Sequence, residues 1–496
     1  MTDDARASPH PHKTPGRAAL TTFGVWAGVL ALLTGCGAGG SGDGPREERG
    51  SHASATSGGA GSATAPVPRG KGSKLPDDVN GDRYPDLQLP VPPGKRGLPS
   101  RIAFVHGSHD GLHPATRTVL RRADLGLPAD DVAVAGATEV TTADLDGDGY
   151  ADVTTTGGER LSAAEAKRTR ATVRTAPYIA WGSAGGPPHA RSAARVQLTG
   201  PTDSVDPQRP TVGDFNGDGH HDLALVRANR RSFLVLYGPF SRAGKPAKTV
   251  PYRSPFRGGH AEIGDLVADR IRGDRPTDLV VHGLSAAAQS GSILLTAGPQ
   301  GLRHTGRALR EGDSIAFGDF DGDARRDVAV GASGTRADEG GDATEKPDIG
   351  RTVSVYYGTA TGRYVRSSPS LPVPGMSGMM MAADTDGNGA DELAVPLGSG
   401  GARMLAPRPG RLATARHTLA RTVPARMDGK AVREDERAAR LYGAADFDHD
   451  GKDEIVLAWG PGIAFSLYGE RPERWWITNG TSDKIKFSSR PFAGGR

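Results

Sequence analysis

A short acidic phrase returns along this chain and constrains its fold more than any other feature. Numbered 1 to 9, it reads Asp-x-(Asp/Asn)-Gly-(Asp/Asn)-Gly-x-x-(Asp/Glu), and a run of Val, Leu, Ile and Ala follows it. Intact or nearly intact copies begin at Asp78, Asp144, Asp214, Asp319, Asp384 and Asp446, and a damaged copy, fourth in order, lies between Asp265 and Asp278. Such repetition indicates an array of small units that bury their cores only against their neighbours.

Each repeat has the pattern of a four-stranded unit. A short strand enters the acidic phrase, a second strand such as DLALV leaves it, and a third ends in a Gly turn, as in FLVLYGP. β-Branched and aromatic residues dominate these segments, while Gly, Pro, Asp and Ser separate them. The stretch 161–170 (LSAAEAKRTR) is the only local helical candidate. Seven such units predict an all-β fold over residues 75–496, a seven-bladed β-propeller with four-stranded antiparallel blades.

The two ends of the array are less regular than its middle. The first acidic phrase has no convincing strand before it, and the third strand of the last repeat is expected at 463–469 (IAFSLYG). Residues 475–488 contain an Asn-Gly turn between two strand-like runs. We therefore expect this C-terminal segment to supply the strand that closes the ring.

The acidic phrase has the chemistry of a calcium loop. In the copy 144–152, positions 1, 3, 5 and 9 carry side-chain oxygens, and Gly at positions 4 and 6 lets the backbone curl around them. Hard oxygen ligands in this number suit calcium, and without a cation the carboxylates would repel one another. An EF-hand needs Glu at position 12, where this chain has Thr155 and Leu225. A simple Asp-Gly turn would explain one copy, but not the same oxygens in six.

The phrase and the strand after it resemble FG-GAP (VCBS) repeats, the blades of integrin α-chain propellers and of many bacterial exported proteins. The segments 212–219 (VGDFNGDG) and 317–323 (FGDFDGD) carry the resemblance best, and it extends from about residue 75 to the C-terminus. It implies one calcium ion per intact loop, up to six in all, held by positions 1, 3, 5 and 9 with a backbone carbonyl. The implied ligands are Asp78, Asn80, Asp82 and Asp86; Asp144, Asp146, Asp148 and Asp152; Asp214, Asn216, Asp218 and Asp222; Asp319, Asp321, Asp323 and Asp327; Asp384, Asp386, Asn388 and Glu392; and Asp446, Asp448, Asp450 and Glu454. The fourth copy has Arg270 and Arg272 at ligand positions, so we expect no calcium there.

The N-terminal region has the pattern of a bacterial lipoprotein leader. Lys13 and Arg17 precede an apolar run at 18–33, and the sequence Leu-Thr-Gly-Cys then ends at Cys36, the only cysteine of the chain. This pattern predicts a signal peptide over residues 1–35 and lipidation of Cys36. An ordinary signal peptide or an anchor helix with a chance cysteine is the alternative. Residues 36–74 are rich in Gly, Ser, Ala and Pro and predict a flexible linker. The body is then exported, either anchored at the outer face of the cytoplasmic membrane or secreted.

Composition and motifs favour a binding protein over an enzyme. The net charge is only +4 and the basic residues are scattered, which argues against nucleic acid as a partner. No Ser/His/Asp arrangement, zinc pattern or P-loop stands out. We expect a non-catalytic binding or adhesion module, a monomer whose partner is a cell-surface or envelope glycan or protein and whose lipid anchor is its only membrane contact. A propeller-based polysaccharide lyase or glycoside hydrolase is the alternative, and a structural surface protein is a third reading.

Several local features have a more ordinary explanation than a site. Arg-Gly-Asp at 272–274 falls in the damaged copy and is interpreted as coincidence, and His220 and His221 are interpreted as exposed loop residues. The methionines at 376 and 379–381, and the tryptophans at 475 and 476, are expected to fill the core. The longest insertions, 157–171 and 332–350, fall on the face opposite the acidic loops. Long loops on a rigid scaffold are where recognition usually resides, so this face is expected to bind the partner.

Overall fold

The computed structural model describes residues 65–91, 101–128, 140–186, 193–198, 200, 204–257, 261–271, 275–284, 290–334, 349–367, 369–461 and 472–493. The predicted signal peptide, Cys36 and most of the predicted linker therefore lie outside the described residues. Across the described ranges, no helix is both long and apolar enough to cross a bilayer.

Seven antiparallel sheets follow one another in chain order. They are β1 (Leu87–Val91), β2 (Arg101–His106) and β3 (His113–Arg121); β4 (Thr141–Ala143), β5 (Asp152–Arg160), β6 (Val173–Ala180) and β7 (Ala194–Arg195); β8 (Thr211–Gly213), β9 (Asp222–Val226), β10 (Ser232–Tyr237) and β11 (Lys248–Arg253); β12 (Ile263–Ala268), β13 (Leu279–Gly283), β14 (Ser292–Leu295) and β15 (Arg307–Ala308); β16 (Ser314–Gly318), β17 (Asp327–Gly331), β18 (Thr352–Gly358) and β19 (Tyr364–Arg366), with β20 (Leu371–Pro372) also on β18; β21 (Met381–Ala383), β22 (Glu392–Pro396), β23 (Ala402–Arg408) and β24 (Arg411–Leu419); and, after the hairpin of β25 (Arg426–Met427) and β26 (Lys430–Ala431), β27 (Arg440–Ala445), β28 (Glu454–Trp459), β29 (Arg474–Thr478) and β30 (Asp483–Ser488).

The predicted seven-bladed β-propeller is confirmed. Each sheet is a meander, and six of the seven have the four strands expected of a blade, while the described residues of the first blade form three. First strands of neighbouring blades contact one another, as in the pairs β4–β8, β8–β12, β16–β21 and β21–β27, which places them on the inner side of the ring. The apolar clusters form between blades: one, for example, joins Phe215 and Phe233 of the third blade to Leu279 of the fourth.

The ring closes by packing of the last blade against the first. The expectation that residues 475–488 supply a closing strand is wrong, because β29 and β30 pair with β28 and each other as the third and fourth strands of their own blade. Trp475, fully buried, packs in one cluster with Leu89 of the first blade and Phe492 after the last strand. Arg101 Nη1 also donates a hydrogen bond to the Ala493 carbonyl at 2.8 Å. Side-chain packing, rather than a shared strand, therefore closes the ring.

Other local predictions have mixed outcomes. The helical candidate is confirmed as α1 (Ala163–Thr169), which begins with a capping box in which Ser162 and Glu165 exchange hydrogen bonds. The strand predicted at 463–469 lies outside the described residues, and β29 takes its place in the blade. Met376 and Met380 are buried as expected, whereas Met379 is exposed.

The last ten residues of the predicted linker make ordered contacts with the propeller. Gly70 N donates to Asn80 O at 2.9 Å, and Gly72 N donates to Gly81 O at 2.9 Å. Ser73 N then donates to Gly149 O at 2.7 Å. Residues 70–73 therefore lie against the acidic loops of the first two blades, while Ala65 N donates to Ala115 O on β3.

Candidate metal centres

The aspartate at position 1 shapes each intact loop. In the second blade, Asp144 Oδ1 accepts hydrogen bonds from Gly147 N (2.8 Å) and Asp148 N (3.1 Å), and its Oδ2 accepts one from Gly149 N (2.9 Å). Asp78, Asp214, Asp319 and Asp384 repeat all three bonds, and Asp446 repeats the last two. These backbone hydrogen bonds to the position-1 carboxylate hold the loop in its curled conformation without a bound ion.

The tight turn needs left-handed backbone at positions 4 and 6. Gly147 and Gly149 have φ of 78° and 88°, which glycine adopts without strain. Arg83, Ala324 and His449 occupy such positions in other loops, with φ of 77°, 62° and 56°. Each of these side chains costs about 1–2 kcal/mol in this conformation. The loops therefore retain their geometry even where the sequence departs from glycine.

The acid at position 9 fastens the loop to its own blade. Asp152 Oδ2 accepts from Leu145 N (2.9 Å), and Oδ1 accepts from Gly182 N (2.7 Å), just after the third strand. The same two bonds recur at Asp86, Asp222 and Asp327. A Cβ on Gly182 would lie 2.5 Å from the Ala151 carbonyl oxygen, so only glycine allows this approach. That contact explains the Gly turn that ends the third strand in the repeat.

Three loops bring carboxylates close enough to share one ion. Oxygens of positions 1, 3 and 9 lie within 4.8 Å of one another in the sets Asp144, Asp146 and Asp152; Asp319, Asp321 and Asp327; and Asp446, Asp448 and Glu454. The first and third blades carry Asn80 and Asn216 at position 3, whose amide Nδ2 atoms donate to Asp82 and Asp218 at 2.9 and 2.7 Å. The sixth has Asn388 at position 5, where its Oδ1 accepts from Ala390 N. In three of the six loops, the predicted ligands at positions 1, 3 and 9 therefore lie close enough to share one ion.

The fifth loop has the chemistry of a cation site. Asp321 is buried, and its Oδ1 has no hydrogen-bond partner although it lies beside the carboxylates of Asp319 and Asp327. Asp448 Oδ1 of the seventh loop is also buried without a hydrogen-bond partner, but Lys484 lies in that loop, whereas no described basic side chain forms an ion pair with the three aspartates of the fifth. A buried carboxylate oxygen without a partner is costly, and a hard cation such as calcium satisfies it. Burial is the main cause that raises the pKa of Asp327 to about 8, and repulsion by the other two aspartates adds to it. Asp152 and Asp222 are raised to a pKa of about 8 for the same main reason.

Basic side chains already approach the carboxylates of some loops. Lys484 Nζ, on β30, lies 2.6 Å from both Asp448 Oδ2 and Glu454 Oε1 of the seventh loop. In the second loop, the half-exposed guanidinium of Arg242 contacts Asp146 and lies 2.6 Å from Asp148 Oδ2. Lys484 had no counterpart in the repeat pattern, because its position on the fourth strand has no fixed spacing from the phrase.

The fourth loop is built without the acidic pattern. Arg270 replaces Asp at position 1, and its guanidinium extends to Asp453 Oδ2 (3.2 Å) and the Ala444 carbonyl (2.6 Å) of the seventh blade. Asp278 at position 9 keeps its structural role by accepting from Ala297 N and Tyr364 OH, both at 2.7 Å. Residues 272–274, including the Arg-Gly-Asp tripeptide, lie outside the described residues.

In three repeats, the residue at position 8 links its loop to the loop of the preceding blade. Thr277 N donates to Asp214 O (2.6 Å), and Asp214 N donates back to Thr277 Oγ1 (2.9 Å). Asp391 makes the same reciprocal pair with Asp319, and Asp453 makes it with Asp384. Sequence reasoning missed this role, although Thr or Asp directly before position 9 in three repeats was a visible signal.

One interpretation of the histidines is wrong. His221 is buried rather than an exposed loop residue, since it occupies position 8 beneath the loop, whereas His220 is half-buried. Desolvation lowers the pKa of His221 to about 4, so its imidazole is neutral at pH 7.

Fold and loops together define a seven-bladed β-propeller with repeated acidic loops. No protein-family model matches the chain, and no curated protein matches it. Solved structures similar to it include the Dos1 propeller (8% identity, 85% of this chain and 94% of that chain, TM-score 0.33), BBS1N in complex with ARL6DN (13%, 69% and 96%, 0.26) and apo AztD from Citrobacter koseri (11%, 81% and 95%, 0.34). At these scores, the strand topology carries the fold assignment, and FG-GAP membership stays a prediction.

Proposed function

We propose that this protein is an exported, lipid-anchored, calcium-binding β-propeller that acts as a non-catalytic binding module at the cell surface. The fifth loop carries the calcium part of the proposal. There, three carboxylates converge, one buried oxygen has no partner, and the surrounding N–H groups are already used by the acids at positions 1 and 9. A cation is the group that this arrangement lacks, and calcium tolerates such irregular oxygen cages.

Calcium would act as a structural ion in this proposal. From the second blade on, the loop joins the innermost strand of its blade to the second, as β16 is joined to β17 around Asp319–Asp327. Neutralising the carboxylates removes their mutual repulsion at the centre of the ring. Metal binding and folding are therefore linked, and the stabilised ring is a rigid scaffold for loops that contact a partner.

The partner-binding face is proposed to be the one opposite the acidic loops. The connection from β5 to β6, which contains α1, lies there, as do the described ends of the connection from β17 to β18. Glu159, in this region, accepts from Arg174, Arg195 and Tyr178 OH, so the base of the insertion is held by charge-assisted hydrogen bonds. Export and anchoring are supported by the leader sequence and Cys36.

A thermal melt of the purified chain in EDTA and in millimolar calcium tests the central claim. We expect a higher Tm in calcium, with magnesium much less effective because it dehydrates reluctantly and demands near-octahedral geometry. Equal melts in EDTA and calcium would refute the metal role. A glycan array in calcium then tests binding, and loss of binding after both insertions are shortened would assign it to their face. Release of reducing ends from an array polysaccharide would favour the enzyme instead.

A further inference from the structure

A cavity of about 790 Å³ lies on the acidic-loop face, away from the insertions. It is lined by loop residues of the first, second, third, fourth and seventh blades, so it lies where the loops converge on the ring centre. The segment 71–76 forms one wall and is held in place by its backbone bonds to Gly81 and Gly149. This volume lies within the range of small-molecule sites in proteins.

The fixed charges of the cavity are of two kinds. Lys71, Lys74 and Arg83 line it, and none of them forms an ion pair with a carboxylate of the described residues. A Cβ on Gly219 would lie 3.8 Å from Lys74 Nζ, so this ammonium lies directly over the third loop. The acidic lining consists of Asp144, Asp148, Asp214 and Asp218, all of them proposed calcium ligands.

Calcium would reverse the balance of these charges. Without metal, four carboxylates face three cationic side chains. The proposed ligands of the second and third loops include seven carboxylates, and Arg242 contacts two of them. Together with Lys71, Lys74 and Arg83 they sum to −3 without metal, and one calcium ion in each loop changes the sum to +1. The lining then attracts anions, and its field is focused because the cavity is enclosed by loops on several sides.

His221 adds a polar group that protein atoms do not satisfy. It lines the same cavity, is only 5% exposed, and hydrogen-bonds the Lys74 backbone, while its Nδ1 has no hydrogen-bond partner in the described structure. Because the neutral ring donates to the Lys74 backbone, Nδ1 is an acceptor, and an unpaired buried acceptor is costly. A hydroxyl group of a bound ligand, rather than its anionic oxygens, would gain by donating to it.

From these features we infer that the cavity is a calcium-dependent binding site for a small organic oxyanion, a carboxylate or a phosphate monoester, which Lys71, Lys74 and Arg83 hold against the loops of the second and third blades. The inference rests on the calcium occupancy proposed above. It names a ligand class for the acidic-loop face, which is distinct from the partner face proposed for the insertions.

Calorimetric titration of the full chain tests the site. The probes are glucuronate for a carboxylate source, glycerol phosphate for a phosphate source, and glucose as the uncharged control, each in calcium and in EDTA. We expect at least one anion to bind in calcium and glucose not to bind. The double variant Lys71→Met/Lys74→Met should weaken anion binding by about tenfold or more, while Lys167→Met on α1 leaves it unchanged.

The outcomes separate this inference from the proposed function. Glucuronate alone, or glycerol phosphate alone, would identify the source of the oxyanion. A calcium-dependent Tm with no anion binding overturns the inference and leaves the metal role intact. No Tm shift and no binding overturn both. Anion binding that is equal in EDTA, or unchanged in the double variant at an unaltered Tm, contradicts the charge reversal on which the site depends.

Discussion

The fifth and seventh acidic loops share a backbone frame but compensate their charge differently. In both, the aspartate at position 1 accepts the N–H groups of positions 5 and 6, and the acid at position 9 accepts the N–H of position 2. In both, three carboxylates converge within 4.8 Å. In the seventh loop, Lys484 Nζ lies 2.6 Å from two of them. In the fifth, Arg325 contacts the outer Asp323, and none of the described basic side chains forms an ion pair with the three converging carboxylates. Both loops contain a buried carboxylate oxygen without a hydrogen-bond partner, Asp321 Oδ1 in the fifth and Asp448 Oδ1 in the seventh.

The two loops also differ in their contact with the next blade. Asp319 exchanges two hydrogen bonds with Asp391 of the sixth blade, at 2.7 and 2.8 Å. The seventh loop faces the first blade, whose position 8 is Pro85. Proline has no N–H and no side-chain acceptor, so it cannot form this pair. The same acidic phrase is therefore found in two settings: a loop that is bonded to the next blade and is proposed to take a calcium ion, and a loop whose carboxylates pair with a lysine of the chain itself.

Removing the unpaired carboxylate should have the largest effect on this comparison. In calcium, Asp321→Ala should lose the stabilisation of one bound ion, about 2.7 kcal/mol when calcium is a hundredfold above its Kd. In EDTA it should cost little, because the unpaired oxygen only adds repulsion. Thermal or urea unfolding with and without calcium measures both values.

Asp448→Ala is the matched variant in the seventh loop. It removes a partner of Lys484, so it should destabilise the protein in EDTA as well as in calcium. If Asp321→Ala and Asp448→Ala lost the same free energy of unfolding in EDTA and in calcium, the proposed difference between the two loops would be wrong.

Replacing Lys484 tests whether its ammonium takes the place of a calcium ion in the seventh loop. In EDTA, Lys484→Met should lower the free energy of unfolding by about 2 kcal/mol, less than for a fully buried pair because Lys484 is 27% exposed. In calcium much of this loss should be recovered, since the emptied loop can take an ion. Calcium counting by equilibrium dialysis should show additional binding at a given free calcium concentration, whereas an unchanged isotherm would show that Lys484 does not compete.

The pH dependence of calcium binding should distinguish a buried acid from a solvent-exposed one. Burial raises the pKa of Asp327 to about 8 and that of Glu454 to about 7, above the unfolded values of 3.8 and 4.5. The calcium-free fold therefore retains protons that the unfolded chain releases, and its stability falls as pH rises from about 4 to 8. Calcium needs the carboxylate, so its affinity should rise by up to about tenfold per pH unit below pH 8. Equal affinities at pH 6 and pH 8 would contradict this.

The sequence predicted what is repeated and missed what is particular to one loop. Positions 1, 3, 5 and 9 could be predicted because their spacing is local and the turn brings them together within nine residues. The partner of Asp448 could not, because Lys484 lies on another strand and approaches only after β30 pairs with β29. Ring closure was mispredicted for the same reason. Burial of Trp475 against the first blade depends on contacts between the two ends of the chain.

The smallest predicted effect concerns the link that the fifth loop has and the seventh lacks. The same link between the fourth and third blades is made by a neutral side chain, Thr277, whose Oγ1 accepts from Asp214 N at 2.9 Å. Thr277→Val keeps the shape of the side chain but leaves that buried N–H without its acceptor, which should cost about 1 kcal/mol. Thr277→Ser keeps the oxygen and should cost less. Because the bond uses no metal ligand side chain, the loss should be the same in calcium and in EDTA, and a loss seen only in calcium would mean that position 8 acts through the ion instead.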